Sequence, residues 1–127
     1  MKELEKQIYK YLKERDWHHL RPSDVAKSIM IEGAELLEIF QWENLSLEEV
    51  KEHKEKVEEI KKELADVLIY AIEMSVLLEL DIEKIIRNKL AYVAKKYPAK
   101  LMRATKKEPG TKSQYWKIKK EYRKNGL

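Results

Sequence analysis

Two stretches decide the fold: residues 25–42, VAKSIMIEGAELLEIFQW, and residues 60–74, IKKELADVLIYAIEM. Each is apolar at helical spacing, and each carries acids inside its apolar sector. A helix turns about 100° per residue, which places Glu32 with Val25, Ile29, Leu36 and Ile39, and Glu35 about 60° to one side. On the second stretch Glu63 shares a sector with Ile60, Val67, Tyr70 and Met74, and Asp66 again lies about 60° away. Burying an unpaired carboxylate is costly. No Lys or Arg lies in those sectors, so four inward acids call for a divalent cation between two facing helices.

Working outward, the rest of the chain is also helical in character. Charged residues make up 39% of the 127, with only 3 Gly and 3 Pro, a profile that reads as one all-α domain. A first helix is expected from about Lys2 to Arg15, striped by Leu4, Ile8, Tyr11 and Leu12. A connector over residues 16–23 holds Trp17, His18, His19 and Pro22, and Ser23 or Asp24 is positioned to cap the next helix, which is expected to reach Trp42. Gly33 inside it offers close helix approach or room for a ligand. Ser46 and Glu49 have the spacing of a capping box. The polar run from Leu47 to Lys62 reads as a solvated helix, continuous with or kinked from the apolar helix ending near Leu80. Asp81 caps a last helix to about Lys96, stopped before Pro98. Four helices with short connections make a bundle.

The formal charge of +4 conceals a split. Residues 1–98 carry 17 basic against 21 acidic side chains and residues 99–127 carry 10 against 2. The expected organisation is therefore a helical domain over 1–98 and a basic tail over 99–127. With no Cys there is no disulfide framework, and no apolar stretch is long enough for a signal peptide or a membrane span. A cytoplasmic protein is the expectation.

Acids three apart on a helix project from adjacent turns and can share a cation. Oxygen ligands, with no Cys and no His at matching spacing, favour Mg²⁺, with Mn²⁺ as a substitute. Mg²⁺ commonly bridges to phosphates, which makes a nucleotide a natural substrate. Glu38, one turn beyond Glu35, is a candidate to orient a water. Lys89, Lys95, Lys96 and Arg15 are candidates for phosphate contacts. Trp17, Trp42 and Phe40 are candidates for a base-stacking surface, with His18 or His19 at its edge. As metal ligands, His18 and His19 are disfavoured, because adjacent side chains point apart and no third ligand is spaced to join them.

These residues resemble a known family. Ile31-Glu32-Gly33-Ala34-Glu35 followed by Glu63-Leu64-Ala65-Asp66 is similar to the EExxE…ExxD signature of MazG-like nucleoside triphosphate pyrophosphohydrolases, compact dCTP pyrophosphatase-like members included. Trp17 near Pro22 resembles the family's tryptophan-containing loop, and Lys95-Lys96-Tyr97-Pro98 its closing KYP. The resemblance implies that Glu32, Glu35, Glu63 and Asp66 are Mg²⁺ ligands, and its KYP places Lys96 and Tyr97 on the substrate side, with Lys89 a further candidate there by its charge. It implies hydrolysis of an NTP or dNTP to the monophosphate and pyrophosphate, as nucleotide-pool housekeeping. Three departures stand out: Ile31 replaces the first acid, the loop from Trp17 to Pro22 is one residue short, and Ser23, Asp24 and Val93 replace residues expected to contact substrate.

Helices apolar over most of their circumference need covering, so a homodimer or homotetramer is expected. The alternative is a non-catalytic nucleotide- or nucleic-acid-binding protein that uses its tail, where basic residues alternate with Tyr115, Trp116 and Tyr122.

Overall fold

The computed structural model describes residues 1–105 and 113–126, and those residues are helical without a strand. In chain order the helices are α1 (Lys2–Glu14), α2 (Pro22–Glu38), α3 (Leu47–Glu52), α4 (Lys54–Leu77), α5 (Ile82–Lys96), α6 (Ala99–Thr105) and α7 (Gln114–Lys124). The chain divides into two compact units, Met1–Ile82 and Glu83–Leu127.

In the first unit α2 packs along α4, and α1 packs on α4 as well. Half of the expected α1 stripe is buried: Ile8 and Leu12 lie with Ile72 and Ile82, flanked by Val76 and Leu77, while Leu4 and Tyr11 stay exposed. Both helix ends around this core close without glycine. At the end of α1 the Trp17 N–H donates to the Leu12 carbonyl at 2.8 Å and the Asp16 N–H to Lys13 at 3.1 Å. At the end of α4 Leu80 donates to Ser75 at 2.8 Å and Glu79 to Val76 at 3.2 Å. This pairing satisfies the last carbonyls and requires a left-handed residue. Asp16 (φ 58°) and Glu79 (φ 55°) fill that position.

Three expected boundaries are corrected. α2 ends at Glu38, not Trp42: the backbone tightens, with Phe40 donating to Leu37 at 2.9 Å and Gln41 to Glu38 at 3.2 Å. α2 also begins without a side-chain cap. Arg21 holds the N-cap position and Pro22 opens the helix, where its missing N–H is harmless. The Ser46–Glu49 capping box is present. The polar run after it is interrupted at His53, which leaves helical geometry (φ −90°, ψ 88°) and caps α4 by accepting from the Lys56 N–H at 3.2 Å.

Lys56 departs most from its sequence context. It lies in the run expected to be solvated, yet it is buried. Its Nζ donates to the Ile39 carbonyl at 3.0 Å, pairs with Glu43 at 3.0 Å and sits 5.8 Å from the Phe40 ring centroid. It thereby holds the turn in which α2 ends. Buried apolar side chains are few among the described residues: Ile8, Leu12, Val25, Ile72 and Ile82. Met30, Ile31, Leu37, Leu64 and Leu68 stay exposed on α2 and α4.

In the second unit α6 packs against α7. Tyr115 of α7 stacks on Tyr97 at 4.8 Å, and Tyr122 meets Tyr92 edge-on at 6.1 Å. Tyr115 and Tyr122, which the alternative reading assigns to base stacking, thus meet aromatic partners within the unit itself. No helix among the described residues is long and apolar enough to cross a membrane.

Candidate metal centre

α2 and α4 run antiparallel, since Glu32 meets Glu63 and Asp66 while Ser28, one turn earlier, faces Tyr70, one turn later. One carboxylate oxygen from each of Glu32, Glu63 and Asp66 lies within 4.8 Å of the other two. All three side chains are half-buried. Among the described residues, no Lys or Arg pairs with any of them.

The electrostatics follow from this crowding. The Glu32 carboxyl is held above its ordinary range, first by hydrogen bonding with Glu35, then by burial and by the charges of Glu35, Asp66 and Glu63. Burial is the main cause of the same upward shift at Glu63, followed by hydrogen bonding with Glu35 and the charges of Glu35, Asp66 and Glu38. Oxygens Glu32 Oε2 and Glu63 Oε2 are buried with no hydrogen-bond partner. Orphaned, mutually repelling carboxylate oxygens at this spacing fit a divalent cation, whose charge relieves the repulsion and whose coordination satisfies the oxygens.

The remaining predicted residues divide by position. Glu35 and Glu38 are exposed, and both lie close enough to Glu63 for their charges to act on it. Glu35 is not one of the three whose oxygens converge. Tyr70 is half-buried, with Ser28 and the charges of Glu73, Glu32 and Asp66 close to its hydroxyl; burial is the main cause of its raised pKa. Trp17 is half exposed against the edge of Tyr11, 6.0 Å away. Trp42 is 87% exposed, beyond the end of α2. Gly33 has open space where a Cβ would stand, so close helix approach is not its role in the single chain. Arg15 is committed locally, donating to the Tyr11 carbonyl at 3.0 Å with its guanidinium 3.9 Å from that ring. Lys89, Lys96 and Tyr97 belong to the second unit. There Lys89 lies 4.8 Å from the Tyr92 ring, and Lys96 lies 5.3 Å from Tyr97 and 4.8 Å from Tyr122.

The MazG-like family model matches residues 27–110, a span that contains all four acids. The chain belongs to the MazG-like family. A crystal structure of a pyrophosphatase from Archaeoglobus fulgidus is 37% identical to this MazG-like chain, with a TM-score of 0.67 over 77% of this chain and 92% of that one. A comparison with curated proteins returns no significant match.

Sequence reasoning missed two further features. Glu73 is a buried acid on α4, its carboxyl raised by burial and its Oε2 without a partner. Its place in the helical pattern, two turns beyond Asp66, was the available signal. The second is a group of ligand atoms from Asp16, His18 and His19, which the structure brings within 4.8 Å of one another. Both reasons against these histidines are corrected: Asp16 supplies a third ligand atom, and past the left-handed turn at Asp16 the two imidazole centroids lie 3.8 Å apart rather than pointing away from each other.

Proposed function

We propose that this chain is a Mg²⁺-dependent nucleoside triphosphate pyrophosphohydrolase that converts (d)NTP to (d)NMP and pyrophosphate. The observation that carries this is the convergence of Glu32, Glu63 and Asp66, with buried oxygens of Glu32 and Glu63 left without a partner. The MazG-like family and the pyrophosphatase neighbour support the same reaction class. Glu32, Glu63 and Asp66 would hold the ion, and Glu35 would join them by a small rotation from its place beside Glu32 and Glu63. Mg²⁺, or Mn²⁺ in its place, supplies positive charge against the triphosphate and a means of activating water.

The chain's own residues do the rest. Glu38 stands at the outer rim, exposed, where a carboxylate can orient an incoming water and accept its proton. Tyr70, half-buried on α4 with Glu32 and Asp66 close to its hydroxyl, would shield the acids from water on that side. Trp17 offers a half-exposed flat surface for the base, and Trp42 a second one at the far end of α2. A second copy of the chain covers Met30, Ile31, Leu37, Leu64 and Leu68, making the working form a homodimer or homotetramer. Cytoplasmic nucleotide-pool housekeeping suits this chemistry.

The test is pyrophosphate release from a panel of NTPs and dNTPs with Mg²⁺. At least one nucleotide is expected to turn over, with a drop of about 10²-fold or more for Glu63→Gln and Asp66→Asn. Turnover of none, or turnover indifferent to both substitutions, overturns the proposal.

A further inference from the structure

The loop between α1 and α2 gathers three metal-binding side chains. Asp16 Oδ1 lies 3.9 Å from His18 Nδ1 and 3.8 Å from His19 Nε2. One ligand atom from each residue lies within 4.8 Å of the other two. His18 Nδ1 is buried without a hydrogen-bond partner. Its ring is packed edge-on against Tyr9, 6.3 Å between centroids, and only 21% of the side chain is exposed. The backbone is fixed as well: the hydrogen bonds of Asp16 to Lys13 and Trp17 to Leu12 lock the turn that presents Asp16.

We infer that Asp16, His18 and His19 form a second metal site, separate in residues and in chemistry from the acid centre, that binds a borderline transition-metal ion such as Zn²⁺. Two imidazole nitrogens and one carboxylate suit Zn²⁺, whereas an all-oxygen cluster suits Mg²⁺. Zn–N and Zn–O bonds of about 2.0–2.2 Å in tetrahedral arrangement put ligand atoms about 3.3 Å apart. The observed 3.8 and 3.9 Å therefore need a contraction of about half an ångström, within the reach of side-chain rotation. The fourth position is left to solvent. Because Asp16 and His18 flank Trp17, a bound ion fixes the backbone on both sides of that tryptophan. The site is independent of the proposed hydrolysis and stands or falls on different residues.

The chain has three histidines and no cysteine, which makes the test clean. Zn²⁺ binding to the full-length protein is measured by calorimetry in a large excess of Mg²⁺ that fills the acid centre, and Co²⁺ is followed by its visible absorption. One equivalent is expected, with Co²⁺ bands of low-symmetry nitrogen–oxygen coordination. Loss of a supporting contact alone weakens metal sites by about 10–100-fold. His18→Ala and His19→Ala should therefore each weaken binding by at least about tenfold, while His53→Ala and Glu63→Gln leave it unchanged. Circular dichroism of each variant checks that it folds. The inference is overturned if no Zn²⁺ binds under these conditions. It is equally overturned if Glu63→Gln abolishes a binding that His18→Ala and His19→Ala leave intact.

Discussion

Replacing Lys56 with methionine keeps the aliphatic stem and removes the ammonium that holds the end of α2. Three interactions are lost. The bond from Nζ to the Ile39 carbonyl, at 3.0 Å, is charge-assisted and of a kind worth about 1.5–3 kcal/mol. The pair with Glu43, also 3.0 Å, involves a carboxylate that is 51% exposed, so solvent screening reduces it to about 0–1 kcal/mol. The Phe40 ring, at 5.8 Å, stands near the outer limit for a cation–π contact and adds about 0.5 kcal/mol at most. Against these, the variant no longer desolvates an ammonium group. The expected net cost is about 2 kcal/mol, read as a lower urea midpoint at unchanged slope. Glu43→Gln, which leaves the carbonyl bond in place, should cost less than about 1 kcal/mol. A Lys56→Met cost below about 0.5 kcal/mol, the range of ordinary surface substitutions, would refute the reasoning.

Further predictions concern charge and backbone. Glu32 and Glu63 have raised pKa values in the folded chain, so folding favours their protonated forms. Below about pH 4.5 both states are protonated and the acids cost nothing; as pH rises above 4.5 through the raised folded values, stability is lost. Thermal unfolding with and without Mg²⁺ should show a gap that widens as pH climbs from 4.5, and a gap constant with pH would count against the cluster. Glu73 is raised in the same direction by burial. Glu73→Met should stabilise the chain by about 1 kcal/mol or more at pH 8 and by less at pH 4.5, measured by urea unfolding at both. Glu79 holds a left-handed backbone conformation. Glu79→Gly should stabilise by about 1 kcal/mol, since only glycine adopts it without steric cost; a destabilised variant would show that the Glu79 side chain does something else.

The helical period made the acid centre legible. Wheel arithmetic puts Glu32 and Glu35 on the apolar side of α2 and Glu63 and Asp66 on that of α4, because both helices are regular there; three of these acids converge, while Glu35 stays exposed outside the group. The end of α2 was hidden for the same reason. Phe40 and Trp42 continue the apolar spacing, and nothing in the sequence marks the tightening at Ile39, which depends on a lysine seventeen residues away. His53 gave no sign of a break, since a histidine cap is rarer than Ser, Asp or Asn and the surrounding run is uniformly polar. Asp16 and Glu79 close their helices where glycine is the usual signal. Without that signal the turn at Asp16 went unread, and with it the meeting of His18 and His19. The limit in each case is geometric: periodicity describes residues inside regular helices and is silent where the chain leaves them.

Three carboxylates gathered for one hard cation should bind Mn²⁺, and electron paramagnetic resonance of the full-length protein follows that binding. Bound Mn²⁺ should be displaced by Mg²⁺. Glu63→Gln and Asp66→Asn should each weaken it by about tenfold or more, with Glu59→Gln, on the exposed part of α4, indistinguishable from the parent chain. Equal Mn²⁺ affinity in all four proteins would contradict the central claim.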